Sequence, residues 1–266
     1  MKVISRIIIF MHFTLAVFGS YHDNSRDCSQ IDTGNSLCYN GPRYNEYNQI
    51  GSCNKPGSIA ITIDDGLNEY TDQFLNILKS KKMKATFFIT GNKINLYPST
   101  FRKIITEGHQ IGSFTYNLTE DGITDITADK FDNDIAMFER VFTNINMPIP
   151  KYFRPPKGIL TEDVRISLQN NQYLSVDNGV FLGSQIASYT IDDMITQISQ
   201  TMNRATLNRL SIILNLNANK FNSISFNQLI TYLSTFKSIK YTTISDCLND
   251  QNQFKRSNYH NKKLKI

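Results

Sequence analysis

The chain is 266 residues long, 40% hydrophobic and 19% charged, with a formal net charge of +5. That composition excludes collagen, coiled coil and wholesale disorder, and the length suits one large α/β domain or two small ones. The charge lies at the ends: Lys2 and Arg6 at the start, then Lys255, Arg256, Lys262, Lys263 and Lys265 after the last acidic residue, Asp250. Removing those two and five basic residues leaves the body at −2. A nucleic-acid-binding protein needs a basic face on the fold itself, so no nucleic-acid partner is expected.

The N-terminus has a charged start, an apolar run from Ile7 to Phe18 and the small residue Gly19. This is a secretory signal pattern, and the run is short for a bilayer span. Residues 1–19 are read as a signal peptide and the mature protein as secreted. Cys28, Cys38, Cys53 and Cys247 fit an oxidising compartment, and four cysteines allow three pairings. Residues 20–56 are polar and rich in Gly, Asn and Ser, and are read as an irregular arm stapled by at least one disulfide.

Beyond the arm, short apolar runs alternate with amphipathic stretches. Strands are expected at 58–63, 85–89, 110–114, 152–154, 173–176, 210–216 and 241–244. Helices are expected at 70–80 and 99–107, then from a Thr127 cap with Phe131, Ile135, Phe138 and Phe142 on one face. Further helices are expected at 161–170, from Thr190 with Asp193 three residues on, and from a Ser225/Gln228 capping box through Phe236. Strict alternation over this length means parallel strands with helical crossovers in one domain, and a barrel or a doubly wound sheet both fit.

Chemistry in such folds gathers where strands end. The first strand ends in Thr62-Ile63-Asp64-Asp65-Gly66, and adjacent carboxylates there need a metal, a base or a cation to account for them. Phe153-Arg154-Pro155-Pro156-Lys157-Gly158 is a rigid turn whose Arg can pair with one of them. A structural network of Asp64, Asp65 and Arg154 accounts for the same residues without catalysis.

These residues, with Ala85-Thr86-Phe87-Phe88-Ile89, Gly108-His109-Gln110-Ile111-Gly112-Ser113 and Ile244-Ser245-Asp246-Cys247-Leu248, make residues 57–250 resemble the polysaccharide deacetylase (NodB-homology) family, chitin deacetylases in particular. The resemblance implies a distorted (β/α) barrel and metal-dependent hydrolysis of an N-acetyl group on a sugar polymer such as chitin. It implies Asp64 as general base, Asp65 plus two His as Zn²⁺ ligands, Arg154 orienting the base and a later His as general acid. It also implies a Cys53–Cys247 disulfide, leaving Cys28–Cys38, and location at a cell wall or surface. The remaining residues, 251–266, are read as a solvated basic tail.

The sequence departs from that pattern. The two ligand His positions are Phe114 and Leu118, neither of which can donate to a metal, so Asp65 is the sole expected ligand where a catalytic zinc uses three. The fourth motif fits Asp177-Asn178-Gly179-Val180-Phe181, with Val180 and Phe181 in place of Asp and Trp. The fifth fits Leu214-Asn215-Leu216, with Leu216 in place of the general-acid His. Without Lewis acid or general acid, an amide is hard to hydrolyse.

The sequence thus predicts a vestigial site, no cofactor, and a secreted, inactive family member acting as a sugar-binding or structural protein. The alternative is an active metal-dependent deacetylase or esterase with a non-standard site, using Zn or another divalent metal. Tyr116, Pro155, Pro156 and Lys157 line the candidate substrate cleft, where Phe114 and Phe181 could also stack on sugar rings. Asn117-Leu118-Thr119 is an N-glycosylation pattern at its rim. The sequence sets no oligomeric state.

Overall fold

The computed structural model describes residues 43–44, 49–117, 123–182, 190–208 and 211–255. The stretch expected to be a signal peptide, Cys28 and Cys38, Leu118 and the residues beyond Lys255 lie outside the described residues.

Seven-residue β3 (Ser58–Asp64) is buried along its whole length and is the centre of the sheet. The other strands are β4 (Thr86–Thr90), β5 (Gln110–Thr115), β6 (Tyr152–Phe153), β7 (Leu174–Ser175), β8 (Val180–Leu182), β9 (Ile212–Asn217) and β10 (Lys240–Thr242). All pair in parallel in the order β7-β6-β5-β4-β3-β9-β8, and β10 joins the lower half of β3. The result is a half-barrel, so the barrel expectation holds and the doubly wound alternative does not. β1 (Arg43–Tyr44) and β2 (Ile50–Ser52) form a separate antiparallel pair, so part of the expected irregular arm is a strand ladder.

Helices α1 (Thr71–Ser80), α2 (Pro98–Thr106), α3 (Ala128–Asn144), α4 (Glu162–Asn170), α5 (Ile191–Asn208), α6 (Ser223–Leu233) and α7 (Ile244–Leu248) follow the strands. The period-two alternation of β3 divides the core. Ile59, Ile61 and Ile63 pack with Phe74, Leu78, Phe138 and Leu229 under the helices. Ala60 joins Phe88, Phe114, Tyr152, Val176 and Ile213 on the concave face. Gly112 is on that face too, where a Cβ would stand 2.5 Å from the Phe88 ring.

Three local readings change. β8 was not anticipated: three residues after Gly179 carry too little pattern to mark a strand. Gly179 (φ +58) lies so close to β9 that a Cβ would meet the Ile213 carbonyl at 2.4 Å. The cap of α6 is Asn222, whose side chain accepts from the Ile224 and Ser225 N–H groups while Ser225 Oγ answers the Asn222 N–H. The helix therefore starts earlier than a Ser225/Gln228 box would put it. The expected strand 241–244 stops at Thr242, because Thr243 caps α7 by accepting from the Asp246 N–H. The Thr190/Asp193 pairing is present, with bonds in both directions.

The foot of the concave face is closed by the Cys53–Cys247 disulfide, which joins residues 194 apart. Asn54 and Lys55 N–H groups both donate to the Cys247 carbonyl, at 3.0 and 3.2 Å. The start of the basic tail is docked rather than solvated. The Lys255 N–H donates to the Ile149 carbonyl at 2.8 Å, and its ammonium pairs with Glu139 and lies 3.9 Å from the Tyr173 ring centroid.

Two expectations about stability follow. Cys247→Ser should destabilise by about 2–5 kcal/mol, the range for cross-links that close long loops, read as a lower denaturation midpoint under oxidising conditions; an unchanged midpoint would contradict it. His109 is 7% exposed, accepts a bond from the Ala85 N–H at 3.1 Å and meets the Phe87 ring edge-on. Burial and the nearby Lys84 ammonium hold it down to about 4, against the opposing effect of Glu107. The unfolded chain takes up that proton first, so this contribution is complete above about pH 6.5 and is lost as pH falls towards 4. It should amount to about 3 kcal/mol, and His109→Gln should flatten the stability profile over that window; an identical slope in the variant would refute the assignment.

Candidate active site

The C-terminal end of β3 presents Thr62 and Asp64 to the concave face and then turns through Asp65, whose φ of 55° lies in the left-handed region. Gly66 follows where a Cβ would stand 2.7 Å from the Phe87 ring. Arg154, just past β6, is fully buried. Its Nη1 donates to Thr62 Oγ1 at 2.7 Å and to Asp64 Oδ1 at 3.2 Å, and its guanidinium carbon lies 4.5 Å from the Phe88 ring centroid. Asn215 Nδ2 donates to the other Asp64 oxygen at 2.9 Å and reaches Asn178 Oδ1 at 3.3 Å. Burial pushes the Asp64 carboxyl above the usual carboxylate range, against the opposing pull of Arg154 and the bond from Asn215. The expected pairing of Arg154 with Asp64 is present.

Asp65 is held by different partners. Thr90 Oγ1 donates to Oδ1 at 2.8 Å, and Lys93 Nζ approaches the same oxygen at 2.7 Å. Asn219 Nδ2 donates to Oδ2 at 2.7 Å. Lys93 comes from the 3₁₀ turn that follows β4, and Asn219 from the one that follows β9. Both carboxylate oxygens thus have protein donors, one of them a full positive charge.

The residues present do not fit a divalent metal. Phe114 is 6% exposed and lies in the concave core with Phe88 and Tyr152, where it offers no lone pair and is not available to stack on a sugar. His109 is the single histidine among the described residues and is occupied at the foot of β5. No group of three His, Cys, Asp or Glu side chains among the described residues could hold a metal.

Leu216 is at the reacting end of β9 but faces the helices, away from the concave side. The parallel register sets Leu214 beside Ile61 and Leu216 beside Ile63, and all four pack in the helix-facing core. Neighbours in a parallel pair point the same way, so Asn215 shares the face of Thr62 and Asn217 that of Asp64. The β9 side chain that hydrogen-bonds Asp64, where Leu216 was expected to replace a general acid, is Asn215, from the level of Thr62. The same register puts Val180 beside Leu214 on the helix side and Phe181 beside Asn215 on the concave side. Asp177 donates its N–H to the Ile50 carbonyl at 3.0 Å, accepts from the Asn178 N–H, and its charge favours the protonated Arg154.

The expected cleft is only partly open. Pro155 and Pro156 are buried, Lys157 is exposed, and Tyr116 is half-buried beside Gly91, where a Cβ would stand 3.0 Å from its ring. Asp134 of α3 accepts from the Tyr116 and Asn117 N–H groups at 2.7 and 3.0 Å and holds the turn after β5. Asn117 is exposed, and its Oδ1 accepts from Asn92. Sequence reasoning missed Lys93, Asn219 and Asn215. The Leu-Asn-Leu-Asn alternation of β9 carried the signal for Asn215; nothing local marked the other two.

Comparison with known proteins agrees with the fold. The polysaccharide deacetylase family model matches residues 51–176. A peptidoglycan-N-acetylglucosamine deacetylase of Bacillus cereus is 34% identical over 114 residues, which are 42% of this chain and 40% of the relative. The chain thus spans about two fifths of the length of the curated relatives it matches first. The solved chitin deacetylase of Colletotrichum lindemuthianum superposes with a TM-score of 0.68 at 25% identity, covering 79% of this chain and 96% of that one. A CE4 family pseudoenzyme from Bacillus anthracis shares the fold, with a TM-score of 0.63 at 20% identity over 76% of this chain and 69% of that one. Residues 51–176 are thus similar to the polysaccharide deacetylase family, and the fold around them is the one that family's solved members share.

Proposed function

We propose that the protein is a catalytically inactive polysaccharide deacetylase that is secreted and acts at a cell wall or surface, as a glycan-binding or structural protein. The observation that carries this reading is the Lys93 ammonium at 2.7 Å from Asp65, with Asn219 on the second oxygen. A divalent ion at that carboxylate would have to displace a covalently tethered cation, which is present at a high effective concentration and needs no further ligands. A primary ammonium cannot take its place in the reaction, because it has no empty orbital to accept a carbonyl lone pair and to acidify a bound water.

Proton handling supports the same reading. Asp64 is committed to Arg154 and Asn215. Asn215 can donate a hydrogen bond but has no titratable proton to give a leaving amine, which general-acid catalysis of amide cleavage requires. The network satisfies both Asp64 oxygens and holds the two strand ends together, so it accounts for the retention of the motif without turnover. The named activities of the relatives, on chitin and peptidoglycan, support an N-acetylated glycan as the ligand class.

Three measurements test this. The purified protein should release no acetate from chitin oligomers above the buffer rate, with or without added Zn²⁺, and metal-dependent release would overturn the proposal. It should carry no stoichiometric metal after dialysis against Zn²⁺. Phe114→His with Leu118→His should gain zinc, and adding Lys93→Ala to that pair should tighten zinc binding by about tenfold or more, because the tethered cation is gone. Equal affinity in the two variants would show that Lys93 does not guard Asp65.

A further inference from the structure

At the opposite end of the half-barrel from Asp64 and Asp65, the ends of α1 and α6 and the start of β10 surround a cavity of about 530 Å³. Four lysines line it: Lys81, Lys82, Lys237 and Lys240. No acidic side chain lines it, and none of the four makes an ion pair among the described residues. Lys82, Lys237 and Lys240 are exposed, and Lys81 is half-exposed. Four positive charges are thus gathered at one place on a body whose net charge is −2.

Helix ends account for only part of this. A cation near a helix C-terminus answers its partial negative charge. Lys237 does so for α6, with Nζ donating to the Ser234 carbonyl at 2.8 Å. One of the pair Lys81 and Lys82 can do the same for α1. The second lysine of that pair and Lys240 exceed the need, and lysines that share one cavity favour an anion within it.

The other polar groups around the cavity are already used. Ser80 Oγ donates to the Ile77 carbonyl at 2.7 Å, Ser234 Oγ to Thr231 at 2.6 Å and the Tyr241 hydroxyl to Leu233 at 2.6 Å. Recognition is left to ammonium groups, which select charge rather than stereochemistry. The Phe236 ring packs edge-on against Tyr232 at 5.4 Å, and a single-stranded oligonucleotide is therefore a required comparison in the test.

We propose that this cavity is a second binding site, for the sulfate or phosphate groups of an anionic polysaccharide. It is separate from the deacetylase-type end and does not depend on whether that end is active.

The probe is a fluorescent heparin-derived hexasaccharide titrated with the full chain, with inorganic phosphate, a single-stranded oligonucleotide and an uncharged chitin hexamer as comparisons. Wild type should bind the sulfated hexasaccharide, and more weakly as salt rises. Lys81→Gln, Lys82→Gln and Lys240→Gln combined should weaken binding about tenfold or more, and Lys→Arg at the same positions should keep it. Lys262→Gln, Lys263→Gln and Lys265→Gln combined should change it less than about twofold. The Gln variant should keep its melting midpoint, which separates lost charge from lost fold. No binding by wild type, loss only in the tail variant, equal binding of the oligonucleotide, or inorganic phosphate competing as well as the polymer at matched charge would each overturn the proposal.

Discussion

A fully buried guanidinium is the constraint around which the concave face is arranged. Arg154 has no solvent contact, and an unpaired charge there would cost several kcal/mol even after relaxation. Asp64 supplies the counter-charge, Thr62 a hydroxyl acceptor and the Phe88 ring a π-face. Asn215 then satisfies the second Asp64 oxygen. Four strands, β3, β4, β6 and β9, are tied at one point by this arrangement. Removing one partner leaves a buried charge unanswered.

The neighbouring carboxylate follows the same electrostatic logic with a different cation. A charge at the end of a buried strand must be answered, and a metal, an arginine or a lysine can each do so. At Asp65 the answer is Lys93, assisted by Thr90 and Asn219. Two adjacent acids thus each have a basic side chain of their own, and neither has an oxygen left without a donor. This arrangement ties the two strand-end turns to the rim of the half-barrel.

The cross-links lie at the other end. Cys53–Cys247 and the paired N–H groups of Asn54 and Lys55 anchor the segment before β3 to α7. The docked residues up to Lys255 tie the C-terminal segment to α3 and the edge of β6. The charged groups at the foot of α1 and α6 do not take part in any of these ties, which sets them apart from the lysines that do, such as Lys93 and Lys255.

Much of the fold was legible in the chain itself. The alternation of short apolar runs with amphipathic stretches identified parallel β/α architecture because burial on both faces of a strand and on one stripe of a helix leaves distinct periodicities. The motif residues Asp64, Asp65 and Arg154 were identified by their position at strand ends, and Cys53–Cys247 by resemblance. What failed was register. Leu216 and Val180 were placed at the site by motif spacing, yet the strand period of two turns both towards the helices and brings Asn215 and Phe181 inward. A shift of one residue reverses the face, and only pairing with β3 fixes it. Lys93 and Asn219 were invisible for a related reason. They reach Asp65 from turns 28 and 154 residues away along the chain, and the fate of a charge depends on which atoms lie within about 3 Å of it in space. Sequence determined the fold class and the identity of the acidic pair; tertiary structure decided which cations those acids received, because proximity across strands is set by the pairing of the sheet and not by local pattern.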